Sequence, residues 1–150
     1  MKSQIIYSFL LILTIAFTSC KKEFPKDPLA MSDLSVAGCK TKSDNAKSFD
    51  TEYITIKTVD NYYLRFSHIN TLFNCEPGEI TVSVSISSDR ITINENETKS
   101  LANCICPYDI VFNLGPLEYG AYTIIFQKGG LTYKEYLLTY KKSTDARIDI

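Results

Sequence analysis

The chain of 150 residues has no tryptophan and one histidine, His68. A single histidine excludes a metal centre built from several imidazoles. The 16 lysine and arginine residues nearly balance the 17 aspartate and glutamate residues, which gives a formal net charge of -1. The basic surface of a protein that binds nucleic-acid phosphates is therefore missing, and we expect no nucleic-acid partner.

The sequence also contains no P-loop, no GxGxxG turn, no HExxH motif and no EF-hand loop. It has 45% hydrophobic and 22% charged residues, which is too apolar for a chain that is disordered throughout. At this length the composition fits one ordinary globular domain.

The first 19 residues have the pattern of a secretory signal peptide that is removed. Lys2 is followed by the apolar run 5–17, which is shorter than the roughly 20 apolar residues of a membrane-spanning helix. Small residues then lead to Cys20, and Phe17-Thr18-Ser19-Cys20 resembles the lipobox of bacterial lipoproteins. That resemblance implies cleavage before Cys20, acylation of its thiol, and a place in the cell envelope as an outer-membrane lipoprotein, on the periplasmic face or the cell surface. The alternative is a secreted protein without lipid.

Four cysteines follow Cys20 in the sequence: Cys39, Cys75, Cys104 and Cys106. An even number of cysteines in an exported chain predicts two disulfides. A bridge between Cys104 and Cys106 is disfavoured because it would close a strained ring, so we expect Cys39 and Cys75 each to pair with one of them. The alternative, a zinc site from Cys75, Cys104, Cys106 and His68, lacks the CxxC spacing of zinc ribbons. We expect no metal and no cofactor.

Composition divides the mature chain into three segments. Residues 20–46 mix charge and proline without sustained periodicity, which is typical of a tether that holds a domain clear of the lipid. A strand that begins around Leu34 is the alternative for part of this segment. We assign residues 47–142 to the β domain and residues 143–150 to a C-terminal tail.

From about residue 50 apolar residues alternate with polar ones, which predicts strands with one buried face. Seven such runs occupy about 90 residues, with turn signals between them. We therefore predict an all-β, immunoglobulin-like or fibronectin-like sandwich of about seven antiparallel strands, with a small β-barrel as the alternative. The predicted strands centre on Ile54–Ile56, Tyr62–Phe66, Ile80–Ile86, Arg90–Asn94, Tyr108–Leu114, Ala121–Phe126 and Leu131–Leu138.

Leu117, Gly120 and Tyr122 form a Leu-x-x-Gly-x-Tyr pattern. This pattern resembles the tyrosine corner of immunoglobulin-like domains, in which the tyrosine hydroxyl bonds back to upstream backbone. The chain has no tryptophan for the sandwich core, so we expect three phenylalanines to fill that volume: Phe66, Phe112 and Phe126.

Three further motifs accompany the corner: Leu64–Asn70, Phe73–Gly78 and Cys104–Asp109. Together they resemble the small uncharacterised lipoproteins of Bacteroidetes over most of residues 34–127. The resemblance implies a disulfide-braced, immunoglobulin-like domain and brings no activity with it. Such relatives often carry two adjacent cysteines after the Phe-Asn pair, whereas Glu76 takes the second place here.

No arrangement of a nucleophile with a base and an orienting group is evident, so we expect a protein that is not an enzyme. His68 lies on the same inward-facing positions of its strand as Leu64 and Phe66. We interpret it as a hydrogen-bonded histidine at the rim of the core, and we expect its replacement to have little effect on stability. Glu95 and Glu97 are interpreted as solvated residues of a polar loop.

Two functional classes remain. The first is a tethered binding or structural module for an envelope protein or glycan, with Tyr133, Tyr136 and Tyr140 as the ligand surface, because aromatic residues suit interfaces and sugar stacking. The second is a protease-inhibitor-like or small hydrolytic protein that uses the loop 73–78.

Overall fold

The computed structural model describes residues 24–40, 51–99 and 102–150. The predicted signal peptide 1–19 and the predicted lipidation site Cys20 lie outside these ranges. Within them the chain forms nine strands and no helix. The strands are β1 Ala30–Gly38, β2 Tyr53–Asp60, β3 Tyr63–Asn74, β4 Ile80–Ser87, β5 Arg90–Glu97, β6 Ile105–Gly115, β7 Gly120–Lys128, β8 Leu131–Tyr140 and β9 Asp145–Asp149.

The strands form two sheets. The first has the order β1-β6-β3-β2-β9 and the second the order β4-β5-β7-β8. Neither sheet closes on itself over the described residues, so the barrel alternative is wrong. The predicted all-β sandwich is confirmed.

The core lies between the sheets and follows the period-two pattern of the sequence. Leu64 and Phe66 of β3 and Ile110 and Phe112 of β6 are all almost fully buried. The rings of Phe66 and Phe112 stack with their centroids 5.3 Å apart. Burial of one such side chain stabilises the fold by about 1.5–3 kcal/mol. These phenylalanines occupy the central volume that tryptophan fills in other sandwiches. Phe126 joins the same core from the second sheet.

The first sheet extends beyond the range 47–142 that the composition indicated. β1 pairs with β6 inside the segment expected to be a tether, and β9 pairs with β2 inside the expected tail. β1 shows no clear alternation because it is an edge strand whose residues are nearly all exposed. β9 has only five residues, of which Ile148 is buried. Both strands lack the repeated apolar positions on which the boundaries were based.

The second sheet is not purely antiparallel. β5 and β7 pair in parallel, whereas the other pairs in both sheets are antiparallel. The chain leaves the second sheet after β5, crosses the first sheet as β6 in the opposite direction, and returns as β7. One intervening strand therefore gives β5 and β7 the same direction.

Two disulfides brace one end of the sandwich. Cys39 after β1 pairs with Cys106 of β6, and Cys75 after β3 pairs with Cys104. The prediction that Cys39 and Cys75 each bond to one member of the CxC pair is confirmed. We call this the disulfide end.

The opposite end carries the turn at residues 60–62 and the loops 116–119 and 141–144. Leu117 N–H donates to the carbonyl of Tyr62 at 2.8 Å, and Thr58 N–H donates to the carbonyl of Thr144 at 2.9 Å. These bonds hold the three connections together. We call this the aromatic end, after the four rings of Phe24, Tyr62, Tyr119 and Tyr140 that contact one another there.

Candidate functional site

A buried histidine and a buried glutamate face each other across the core. His68 follows Leu64 and Phe66 on the inward face of β3, and Glu95 follows Ile91 and Ile93 on the inward face of β5. His68 is 3% exposed and Glu95 is 1% exposed. Nδ1 of His68 lies 3.0 and 2.9 Å from the two oxygens of Glu95, and because a carboxylate only accepts, Nδ1 donates.

A second carboxylate approaches the other side of the imidazole. Oε1 of Glu52, just before β2, lies 2.9 Å from Nε2 of His68. Nε2 makes no hydrogen bond of regular geometry, so this contact is an ion pair rather than a well-aligned bond. Two carboxylates flanking one ring favour its protonated form.

The pKa values of this group reflect that arrangement. Burial alone lowers the pKa of His68, but the contacts and charges of Glu52 and Glu95 outweigh it and hold the pKa above its ordinary value. Burial raises the pKa of Glu52, but His68, Lys128 and Thr71 together hold it below its ordinary value. Glu52 is therefore ionised at neutral pH, and the charged form of His68 is favoured.

Lys128, at the end of β7, brings a positive charge to the same place. Its Nζ donates to Oγ1 of Thr71 at 2.8 Å and to the carbonyl of Leu72 at 3.2 Å. It lies 4.6 Å from the ring centroid of Phe73 and 3.9 Å from Oε1 of Glu52. The ammonium group is thus fixed in position before any ligand arrives.

Tyr133 of β8 covers His68. The two rings are nearly parallel, with centroids 6.1 Å apart. The hydroxyl of Tyr133 is buried and has no hydrogen-bond partner in the structure. Burial, then the charges of Glu95 and Glu52, raise the pKa of Tyr133, so the phenol stays neutral and keeps a proton to donate.

These groups border a pocket of about 410 Å³ that is open to solvent. Its lining combines a carboxylate, a fixed cation, a threonine, a tyrosine and two apolar side chains: Glu52, Lys128, Thr132, Tyr133, Leu131 and Ile150. The pocket is near the lower end of the size range of small-molecule sites, about 300–1,000 Å³. It can hold a small ligand that both donates and accepts hydrogen bonds.

The three tyrosines expected to form one ligand surface are in different places. Tyr133 lines the pocket, and Tyr136 is half-buried and lines a separate depression with Leu137 and Lys141. Tyr140 is 1% exposed and lies within the aromatic end, so its side chain is not accessible to a ligand. A β-bulge lies between Phe126 and Gln127 of β7, where Tyr133 of β8 is left out of the pairing. The alternation of inward and outward side chains along β8 therefore shifts by one residue between Tyr133 and Tyr140.

The interpretation of Glu95 as a solvated loop residue is wrong. Glu95 belongs to β5 and is buried against His68. Its parity with Ile91 and Ile93 was the sequence signal that indicated an inward position. Glu52 and Lys128 were also missed, and the sequence gives no comparable signal for them because they come from different ends of the chain.

The loop 73–78, the alternative site, has its first residues inside the fold. Phe73 and Asn74 are buried. Asn74 N–H donates to Glu97 at 2.9 Å, and its side-chain amide donates to the carbonyl of Ala102. Glu76 is exposed, whereas its neighbours Cys75 and Pro77 are half-buried.

At the predicted tyrosine corner, the hydroxyl of Tyr122 donates to the carbonyl of Glu118 at 2.9 Å. Leu117 is buried and belongs to the core, and Gly120 begins β7. The corner therefore shapes the connection from β6 to β7 at the aromatic end, far from the pocket.

The cysteines of the alternative metal site all belong to disulfides, Cys75 with Cys104 and Cys106 with Cys39. The sulfur atoms of Cys39, Cys75 and Cys106 lie within 4.8 Å of each other because the two disulfides are neighbours. His68 contacts Glu52 and Glu95 instead.

The comparisons with protein-family models, curated proteins and solved structures find no match to this chain. None of the described residues belongs to a helix with the length and apolar character that a membrane crossing needs.

Proposed function

We propose that this protein is a lipid-anchored, non-catalytic binding module of the bacterial cell envelope whose pocket holds a sugar unit of an envelope glycan. The observation that supports the proposal is the set of hydrogen-bond donors and acceptors that are held in fixed positions around the pocket. Glu52 accepts hydrogen bonds, Lys128 donates them, and Tyr133 adds an aromatic side chain to the lining.

Sugar hydroxyls match this set because each one both donates and accepts. Lys128 is held by Thr71 and Leu72, and Glu52 is held against His68. Polar groups that are positioned in advance reduce the ordering cost of binding. Leu131, which is 78% exposed, and Ile150, which is 43% exposed, offer apolar contact to the C–H face of a sugar ring.

The buried histidine supports a binding role over a catalytic one. His68 is 3% exposed, and its two nitrogens face Glu95 and Glu52. An imidazole held in this way is a structural cation rather than a base that meets a substrate.

The attachment rests on the sequence pattern. Residues 1–19 resemble a signal peptide and Cys20 occupies the acylated position of a lipobox. Two disulfides in the domain suit an oxidising compartment outside the cytoplasm.

The ligand proposal is tested by co-sedimentation with purified peptidoglycan sacculi and by binding to an array of envelope oligosaccharides. We expect the wild-type protein to bind one of these probes, and the variants Glu52→Gln and Lys128→Met to bind it more weakly. Lys134→Met is the matched control because Lys134 lies on β8 outside the pocket lining, and its binding should equal that of wild type. Absence of binding to every probe, or equal binding by all variants, contradicts the proposal.

The anchor is tested separately by fractionation of cells that express the full chain or its Cys20→Ser variant. We expect the wild type in the membrane fraction and Cys20→Ser in the soluble fraction. Equal recovery of both proteins in the membrane fraction would show that Cys20 does not carry the anchor.

A further inference from the structure

We propose that the aromatic end of the sandwich is a membrane-contacting surface that lies on the lipid headgroups beside the anchor. This inference rests on the proposed acylation of Cys20 and goes beyond it, because an anchor alone does not set the orientation of a domain. The occupant of the surface is the bilayer that holds the lipid.

Only a short length of chain separates the proposed lipid from the fold. Phe24 is four residues after Cys20, and four extended residues span at most about 14 Å. The ring of Phe24 packs edge-on against Tyr62, with centroids 5.0 Å apart. The acylated residue is therefore tied within a short distance of the turn at residues 60–62.

The surface that this short connection brings to the bilayer has the chemistry of a membrane interface. Tyr62 contacts Tyr119 at a centroid distance of 5.2 Å, and Tyr119 packs on the buried ring of Tyr140 at 5.0 Å. Tyr119 and the apolar Val59, which precedes the turn at residues 60–62, are each 42% exposed. Tyrosine rings are favoured at the membrane interface because one edge is apolar while the hydroxyl stays hydrated.

The polar residues around the rings fit zwitterionic headgroups. A shallow depression beside Val59 is lined by Asp60, Asn61 and Lys142. Charges of both signs next to exposed apolar groups match a phosphocholine or phosphoethanolamine headgroup, which carries both signs itself.

The orientation also explains where the pocket lies. β7 begins with Gly120, next to Tyr119 at the aromatic end, and ends with Lys128 at the pocket. Eight residue steps along a strand cover roughly 26 Å. A domain that rests on its aromatic end holds the pocket away from the lipid, where a glycan can reach it.

The chain contains no tryptophan, so each tryptophan substitution introduces a single tryptophan reporter. The full lipidated chain is prepared as Tyr119→Trp, Val59→Trp and, as the distant control, Leu131→Trp, and each protein is reconstituted into phosphatidylcholine vesicles. Some vesicles carry bromine near the headgroup end of the acyl chains, which quenches tryptophan on contact. Flotation with the vesicles confirms anchoring in each sample.

We expect blue-shifted emission and strong loss of intensity in brominated vesicles for Tyr119→Trp and Val59→Trp, and neither effect for Leu131→Trp. If the proteins float but the three reporters respond alike, the anchor stands and the orientation is wrong. If Tyr119→Trp is blue-shifted without quenching, another protein surface covers the aromatic end and the proposal is also wrong. If the proteins do not float, the acylation of Cys20 fails and this inference fails with it.

Discussion

Nδ1 of His68 and the carboxylate of Glu95 meet at 2.9–3.0 Å between the two sheets, where both side chains are almost fully buried. Each offsets part of the other's desolvation cost. The pair therefore connects β3 of one sheet to β5 of the other with a charged contact inside an apolar core. It also positions the ring that Tyr133 covers at the edge of the pocket.

Replacement of His68 by leucine should destabilise the fold strongly. The change leaves Glu95 buried without its partner, and loss of one member of a buried ion pair costs about 3–5 kcal/mol. The double variant His68→Leu with Glu95→Leu should recover much of that loss, because no charge remains buried without a partner. Urea denaturation of the two variants measures the difference, and equal midpoints would show that the unpaired charge is not the cause.

Stability should fall as the pH rises above neutrality. The pKa of His68 is raised in the folded protein, so its stabilising contribution is complete below the ordinary value of 6.5 and disappears as the pH rises through the folded pKa. The pKa of Glu52 is lowered, so its contribution is complete above the ordinary value of 4.5 and disappears as the pH falls through the folded pKa. The two contributions are therefore complete together between about pH 4.5 and 6.5.

Denaturation midpoints of wild type and His68→Leu, measured across the range from acid to alkaline pH, test this dependence. The decline on the alkaline side should be present in wild type and weaker in His68→Leu. The same decline in both proteins would assign it to other groups.

Much of the fold could be predicted because strand alternation is a local property. The spacing of Leu64 and Phe66, or of Ile91 and Ile93, predicts a buried face whatever strand lies beside them. The same rule extended to His68 and Glu95 gives their inward direction. It does not say that a glutamate 27 residues later in the chain is the partner of the histidine, because that depends on how the sheets stack.

The remaining parts of the site depend on contacts that alternation does not report. Glu52 lies just before β2 and Lys128 ends β7, and only the packing of the two sheets brings them within 3.9 Å. Tyr140 was expected at a ligand surface because its residue type suits one, yet it is buried in the aromatic end. Residue type indicates what a side chain can do, whereas its surroundings decide whether a ligand reaches it.

Removal of the disulfide between Cys39 and Cys106 should destabilise the domain by up to about 4 kcal/mol. The bridge closes a separation of 67 residues and restricts the unfolded chain accordingly. Both cysteines must be replaced by alanine, because a single replacement leaves a thiol within 4.8 Å of the sulfur of Cys75. The matched control is the Cys75→Ala and Cys104→Ala double variant, whose separation of 29 residues predicts a slightly smaller loss.

Thermal denaturation of the two double variants without reductant measures both losses. Wild-type stability in both would show that hydrogen bonding and packing of the sheets are sufficient without covalent bracing.

The replacement Tyr122→Phe should lower the free energy of unfolding by less than the replacement of His68 does, although the sequence suggested that His68 has little effect on stability. Its hydroxyl donates to the carbonyl of Glu118 at 2.9 Å, but the ring is only half-buried and water can replace the lost donor. A hydrogen bond of this kind contributes about 0.5–1.5 kcal/mol. Urea denaturation of Tyr122→Phe beside Tyr136→Phe, a half-buried tyrosine on the adjacent strand, separates the hydroxyl of the corner from a general effect of losing a phenol. A loss for Tyr122→Phe as large as that for His68→Leu would show that the corner, rather than the buried ion pair, is the main polar support of the fold.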